Sequence, residues 1–121
     1  MLQRKKNKVS FGKKGEDFAC SLLKKQGYIV LTKNYRTKFG EIDIIAIDND
    51  TLVFVEVKTR RSTKHGLPEE AVDERKLNKI RKVGEHFIQN NQNVPRKQRV
   101  DVISLIIVNG NVIRAKVIQV T

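Results

Sequence analysis

The sequence predicts an α/β fold, a mixed sheet flanked by helices, with elements in the order α-β-β-β-α-β-β. Three observations carry this expectation. Apolar residues recur at helical spacing around residues 18–23 and again over residues 77–88. Two β-prone runs flank the turn-forming triplet Asp48-Asn49-Asp50. Two more flank Asn109-Gly110, a strong signal for a two-residue hairpin turn. At 121 residues the chain has the length of a single domain with one ordinary core.

Taken in order, the first helix should run from about Lys13 to Gln26, with Phe18, Ala19, Leu22 and Leu23 on one face. Gly27 supplies its stop. Residues 1–10 read as a flexible basic arm, and 11–121 as the folded domain. Tyr28 begins a strand that ends near Tyr35, Glu41–Ile47 forms the next, and Thr51–Lys58 returns. Pro68 marks a helix start or the approach to one, and Asp73 is its N-cap candidate. Leu77, Ile80, Val83, Phe87 and Ile88 form the buried stripe of that helix. After a polar connection containing Pro95, Arg99–Val108 and Asn111–Val120 make the last hairpin. The second helix is long enough to cross between parallel strands.

Charge narrows the partners. Lys and Arg number 25 against 13 Asp and Glu, a net charge of +12. Such a field draws polyanions, nucleic acid first and an acidic membrane surface second. The plainer reading is a basic protein kept soluble by its charge. Cys20, alone and in a helical setting, has no disulfide partner within the chain, which suits a reducing compartment. The basic start lacks a following apolar segment, and no stretch is long enough to span a bilayer, so a cytoplasmic protein without membrane attachment is expected.

The central hairpin places chemistry. Its turn register sets Asp43 opposite Glu56 and Glu41 opposite Lys58, on one face. Strand alternation assigns Ile42, Ile44, Ala46, Val53, Val55 and Val57 to the other, wholly apolar face. Facing carboxylates repel unless something neutralises them. A salt-bridged cluster using Lys58 is one answer. A hard divalent cation, Mg²⁺ or Mn²⁺, is the other and the preferred one. Zinc is disfavoured, because Cys20, His65 and His86 show no ligand spacing.

Asp43 followed by Glu56-Val57-Lys58 resembles the D…(D/E)-x-K signature of the PD-(D/E)XK nucleases, whose restriction-endonuclease-like αβββαβ core matches the order above with one strand added. Gly15-Glu16 with Ala19, Gly27-Tyr28, Asn34-Tyr35-Arg36, Gly40-Glu41-Ile42-Asp43, Val55 to Arg60, Glu70-Ala71-Val72 and Arg99 to Val102 also resemble the YraN-type bacterial family. Through Glu16, Asp43 and Glu56-x-Lys58 the chain is similar to archaeal Holliday-junction resolvases. The resemblance implies that Asp43, Glu56, the Val57 backbone carbonyl and Glu16 hold the catalytic metal. It implies that Lys58 orients or activates the attacking water; the oligomeric state stays open, a homodimer being the assembly that analogy with the resolvases suggests. Ile42 stands where the superfamily's name has proline.

Other residues carry two readings. Glu16 is either an exposed acid favoured early in its helix by the dipole, or part of the acidic site. Glu41 reads as the partner of Lys58, and Asp101 as a structural hydrogen-bonding group. The run from Lys58 through Arg60, Arg61 and Lys64 to His65 leaves the site directly and is placed to grip phosphates. Lys76 and Lys79 on the second helix, and Arg99 after it, extend that track. Sparse aromatics favour DNA over RNA as the partner. A metal-dependent nuclease acting on DNA, branched or otherwise structured, is therefore expected, with a non-catalytic DNA- or RNA-binding module on the same fold as the alternative.

Overall fold

The computed structural model describes residues 2–61 and 72–121, with side chains described from Gly12 onward. Lys64, His65, Pro68 and the Glu70-Ala71 pair lie outside the described residues. The elements are α1 (Leu2–Lys25), β1 (Ile29–Thr37), β2 (Gly40–Asp48), β3 (Thr51–Arg60), α2 (Glu74–Gln89), β4 (Lys97–Val108) and β5 (Asn111–Gln119). The strands form one five-stranded sheet in chain order, antiparallel except where β3 pairs parallel with β4. The expected α/β fold and its element order are thus observed, and α2 makes the crossover.

Helix α1 begins at Leu2 rather than Lys13, so its backbone continues through the span read as an arm. Leu2-Gln3-Arg4-Lys5-Lys6 is a run of good helix formers, and although Asn7, Ser10 and Gly12 are weaker ones, no proline breaks the span. Gly27 ends it in the left-handed region at φ 92. The stripe facing the sheet is Gly15, Ala19, Cys20 and Leu23, while Phe18 is exposed. At α2, Asp73 caps the N-terminus by accepting the Lys76 N–H at 2.9 Å.

Each face of the sheet carries its own core. Ala19, Cys20, Leu23 and Tyr28 cover Ile44, Ala46, Val53, Val55, Ile103 and Leu105. Leu77, Ile80, Val83 and Phe87 of α2 cover Ile42, Ile45, Leu52, Phe54, Val100 and Val102. Gly84 lets the two layers meet: a Cβ there would stand 2.5 Å from Cε2 of the buried Phe54 ring. Gly84→Ala is therefore expected to destabilise by up to about 2 kcal/mol, an overpacking cost of about 1–3 kcal/mol less the roughly 1 kcal/mol that alanine gains in a helix. Urea unfolding checks this, and a higher midpoint would refute the close approach.

The two cores expose a departure from strict alternation. Ile42 joins Ile45 beneath α2, whereas Ile44 packs beneath α1. The face assigned to Ile42 from sequence is therefore corrected. Alternation skips a step at Asp43, and the β1 register places Asn34, at φ 54, across from it. The same break halts the β2–β3 ladder. Pairing runs from Asp48↔Thr51 as far as Ile44↔Val55 and stops. Asp43 does not pair with Glu56, nor Glu41 with Lys58.

Candidate active site

Beyond Ile44 and Val55 the strands are held by a side chain. Asp43 Oδ2 accepts the Val57 backbone N–H at 2.8 Å. Asp43 is half-buried, and burial pushes its carboxyl up to about 6. The Val57 N–H works against that shift, while the charges of Glu56, Glu16 and Glu41 add to it. Glu16 acts on this carboxyl across the sheet because α1 comes very close to β3: a Cβ on Gly15 would overlap Thr59 Oγ1.

Glu56 alternates onto the α2 side with Leu52 and Phe54, so it meets a helix-borne cation. Lys76 Nζ lies 2.9 Å from Glu56 Oε1, and Lys58 Nζ lies 3.6 Å from the same oxygen. Burial, reinforced by the neighbouring Lys76 ammonium, holds Lys58 below the ordinary lysine range. Burial also depresses Lys76, but the Glu56 carboxylate outweighs it and the net shift is upward. Glu41 pairs with Arg36 at 3.1 Å rather than with Lys58.

Asp43, Glu56, Lys58 and Lys76 thus gather where β2 and β3 part, with Glu16 acting from α1. Beside them opens a cleft of about 300 Å³ lined by Gly40, Glu41, Lys76, Lys79, Ile80 and Val83 among others. Arg60 closes β3 and Arg61 follows it; both residues interact with other groups. Arg61 also borders a second hollow with the β4–β5 turn, Asn109-Gly110.

Arg99 is elsewhere. It pairs in register with Val53, towards the Asn49-Asp50 turn and away from the carboxylates. Its guanidinium, 15% exposed, lies 3.0 Å from Asp48 Oδ2 and 2.8 Å from Asp101 Oδ1, and donates to Tyr28 Oη at 2.8 Å. Asp101 is fully buried and accepts the Tyr28 hydroxyl at 3.2 Å. Arg99, read from sequence as extending the phosphate track, thus lies in a largely buried network away from the carboxylates, and Asp101 has the structural surroundings expected of it. The strand spacing held a signal for this: Arg99 and Asp101, two apart on β4, share a face.

The donor chemistry suits a hard divalent cation. Among the described residues no three His, Cys, Asp or Glu side chains gather closely enough to hold a metal by themselves. Magnesium usually takes one or two carboxylates and completes its shell with water and phosphate oxygens, which Asp43 and Glu56 can provide for. Burial chiefly, and then the repulsion of Glu56, Glu16 and Glu41, lifts the Asp43 carboxyl, and a cation bound there would offset that repulsion.

No helix among the described residues is long and apolar enough to cross a membrane. Residues 15–105 match the model of the uncharacterised protein family UPF0102, a span containing every site residue above. A UPF0102 protein of Dictyoglomus turgidum is 46% identical over 101 residues, covering 84% of this chain and 86% of the relative. One of Persephonella marina is 45% identical over 105 residues, covering 87% and 89%. One of Alkaliphilus oremlandii is 54% identical over 78 residues, covering 64% and 67%. The chain belongs to the UPF0102 family, the YraN-type family that its motifs resemble.

Proposed function

We propose that this protein is a nuclease of the PD-(D/E)XK type, hydrolysing phosphodiester bonds in branched or otherwise structured DNA with Mg²⁺ or Mn²⁺. One observation carries the reading: the half-buried Asp43 carboxyl faces the added negative charge of Glu56, Glu16 and Glu41 at the opening between two strands. A fold holds such a group only at a cost in stability, which a bound cation would offset. The element order, α-β-β-β-α-β before the last strand, supports the same superfamily.

Asp43, Glu56 and the Val57 carbonyl would hold the cation, with Glu16 reaching it through water. When bound, it supplies Lewis acidity at the phosphate and makes water a stronger acid. The chain's own groups do the rest. Lys58 orients the attacking water and offsets the charge that develops on the phosphoryl oxygens. Lys76 pins Glu56 Oε1 and adds a second positive charge from the helix side. Lys79 lines the cleft, Arg60 and Arg61 follow Lys58 at the end of β3, and these cations would fix the backbone of the nucleic acid without reading its sequence. Lys64 joins that set by its place in the sequence.

The second reading, a non-catalytic nucleic-acid-binding module, is favoured by the Glu56–Lys76 contact, since an ion-paired carboxylate already has its counter-charge. A cleavage panel of branched, forked, nicked and single-stranded DNA and RNA separates the two. Wild type with Mg²⁺ or Mn²⁺ is expected to cut at least one DNA structure, and Glu56→Gln to lose about 10²–10³-fold or more of that rate while still binding. If wild type binds in a salt-sensitive way yet cuts nothing, the module reading replaces the nuclease.

A further inference from the structure

Among the described residues three two-residue turns join antiparallel strands of the sheet, and one of them is built unlike the others. The pairs Asp48↔Thr51 and Val108↔Asn111 are bridged by Asn49-Asp50 and Asn109-Gly110, with Asn49 at φ 53 and Asn109 at φ 51. That is ordinary turn chemistry. The pair Thr37↔Gly40 is bridged instead by Lys38-Phe39. Gly40, at φ 144, takes the conformation that a side chain would resist, so the tip positions are open to almost any residue. They hold a cation and an aromatic.

The Phe39 ring is 46% exposed and belongs to neither core. Its backbone N–H donates to Thr37 Oγ1 at 3.1 Å, which fixes the turn, and Lys38 Nζ lies 5.2 Å from its ring centroid. Single exposed apolar residues are common and need no explanation. Location distinguishes this one. The tip stands at the sheet end where β3 finishes with Lys58 and Arg60, and the next two residues, Gly40 and Glu41, wall the cleft beside Lys76 and Lys79. An aromatic face with cations beside it is the arrangement that holds unpaired nucleobases, the ring stacking and the cations tracking the backbone.

We infer that the Lys38-Phe39 tip is a base-stacking finger, which takes an unpaired nucleotide flanking the phosphodiester at the Asp43–Glu56 site. The inference rests on the nucleic-acid reading above and deepens it, because a stacking finger selects substrates with splayed or single-stranded bases over intact duplex. Phe39 precedes Asp43 by four residues of extended chain, about 13 Å. At a rise of about 3.4 Å per nucleotide, the stacked base lies within about four nucleotides of the bond that is cut.

The chain contains no tryptophan, so Phe39→Trp installs a single reporter at the tip. In EDTA, where nothing is cut, a dye-labelled fork with an unpaired arm should quench that tryptophan, while a blunt duplex of the same sequence should quench it far less. Phe39→Ala should weaken fork binding about 5- to 100-fold, leave duplex binding unchanged and leave the melting temperature unchanged. Dye anisotropy that reports binding while the tryptophan reporter stays silent overturns the finger and leaves the nucleic-acid reading standing. No binding of any oligonucleotide overturns both. A blue shift with anionic phospholipid vesicles and no quenching by the fork assigns the tip to a membrane surface and also overturns the inference.

Discussion

Arg99→Met should cost the protein about 3–5 kcal/mol, a large part of the stability of a domain this size. Methionine keeps most of the aliphatic length and removes the guanidinium that Asp48, Asp101 and Tyr28 share. Asp101 has no exposed surface, so its carboxylate would be left without its cation in a place water does not reach. The Tyr28 hydroxyl would lose the donor that compensates its own burial; burial and the Asp101 charge already push it up to about 12. The melting temperature should fall by roughly 10–25 °C.

The double variant Arg99→Met/Asp101→Asn should recover part of the loss, because it removes the stranded charge along with its partner. A phosphate-gripping Arg99 predicts something else: an unchanged melting temperature and a salt slope of DNA binding smaller by about one. Thermal melts and a salt titration of binding decide between them.

The element order, most of both helical stripes and two of the three turns could be read from sequence because each rests on local chemistry. Asn49 and Asn109 adopt the positive φ that their turns require, and Asp73 caps α2 through its own side chain. The site was legible as a list of residues more than as an arrangement. Strand alternation presumes an unbroken pleat, and the skip at Asp43 opposite Asn34 has no apolar signature, since Ile42 is buried on whichever side it falls. Lys76 looked like one more helix cation. Its contact with Glu56 depends on where α2 crosses β3, which no local pattern encodes. The pairing of Arg99 with Asp48, 51 residues away, depends likewise on strand order.

The carboxyl that the skip creates leads to the second large effect. Asp43→Asn should make the metal-free protein more stable at neutral pH while removing cleavage and cation binding together. Asparagine can still accept the Val57 N–H, so the strand contact survives. What disappears is a negative charge held half-buried among three others. Its folded pKa of about 6 lies above the ordinary value of 3.8, so between those pH values the folded protein keeps a proton that the unfolded chain has released. Wild-type stability should therefore fall as pH rises through that window and level off above it, by at most about 3 kcal/mol. The advantage of Asp43→Asn should vanish below about pH 4 and reach its full size above about pH 6. Saturating Mg²⁺ or Mn²⁺ at about pH 7.5 should raise the wild-type melting temperature, since a ligand of the folded state stabilises it, and leave Asp43→Asn unmoved. A purely structural Asp43 predicts the reverse pair of results: asparagine destabilises at that same pH, and divalent cations change neither protein.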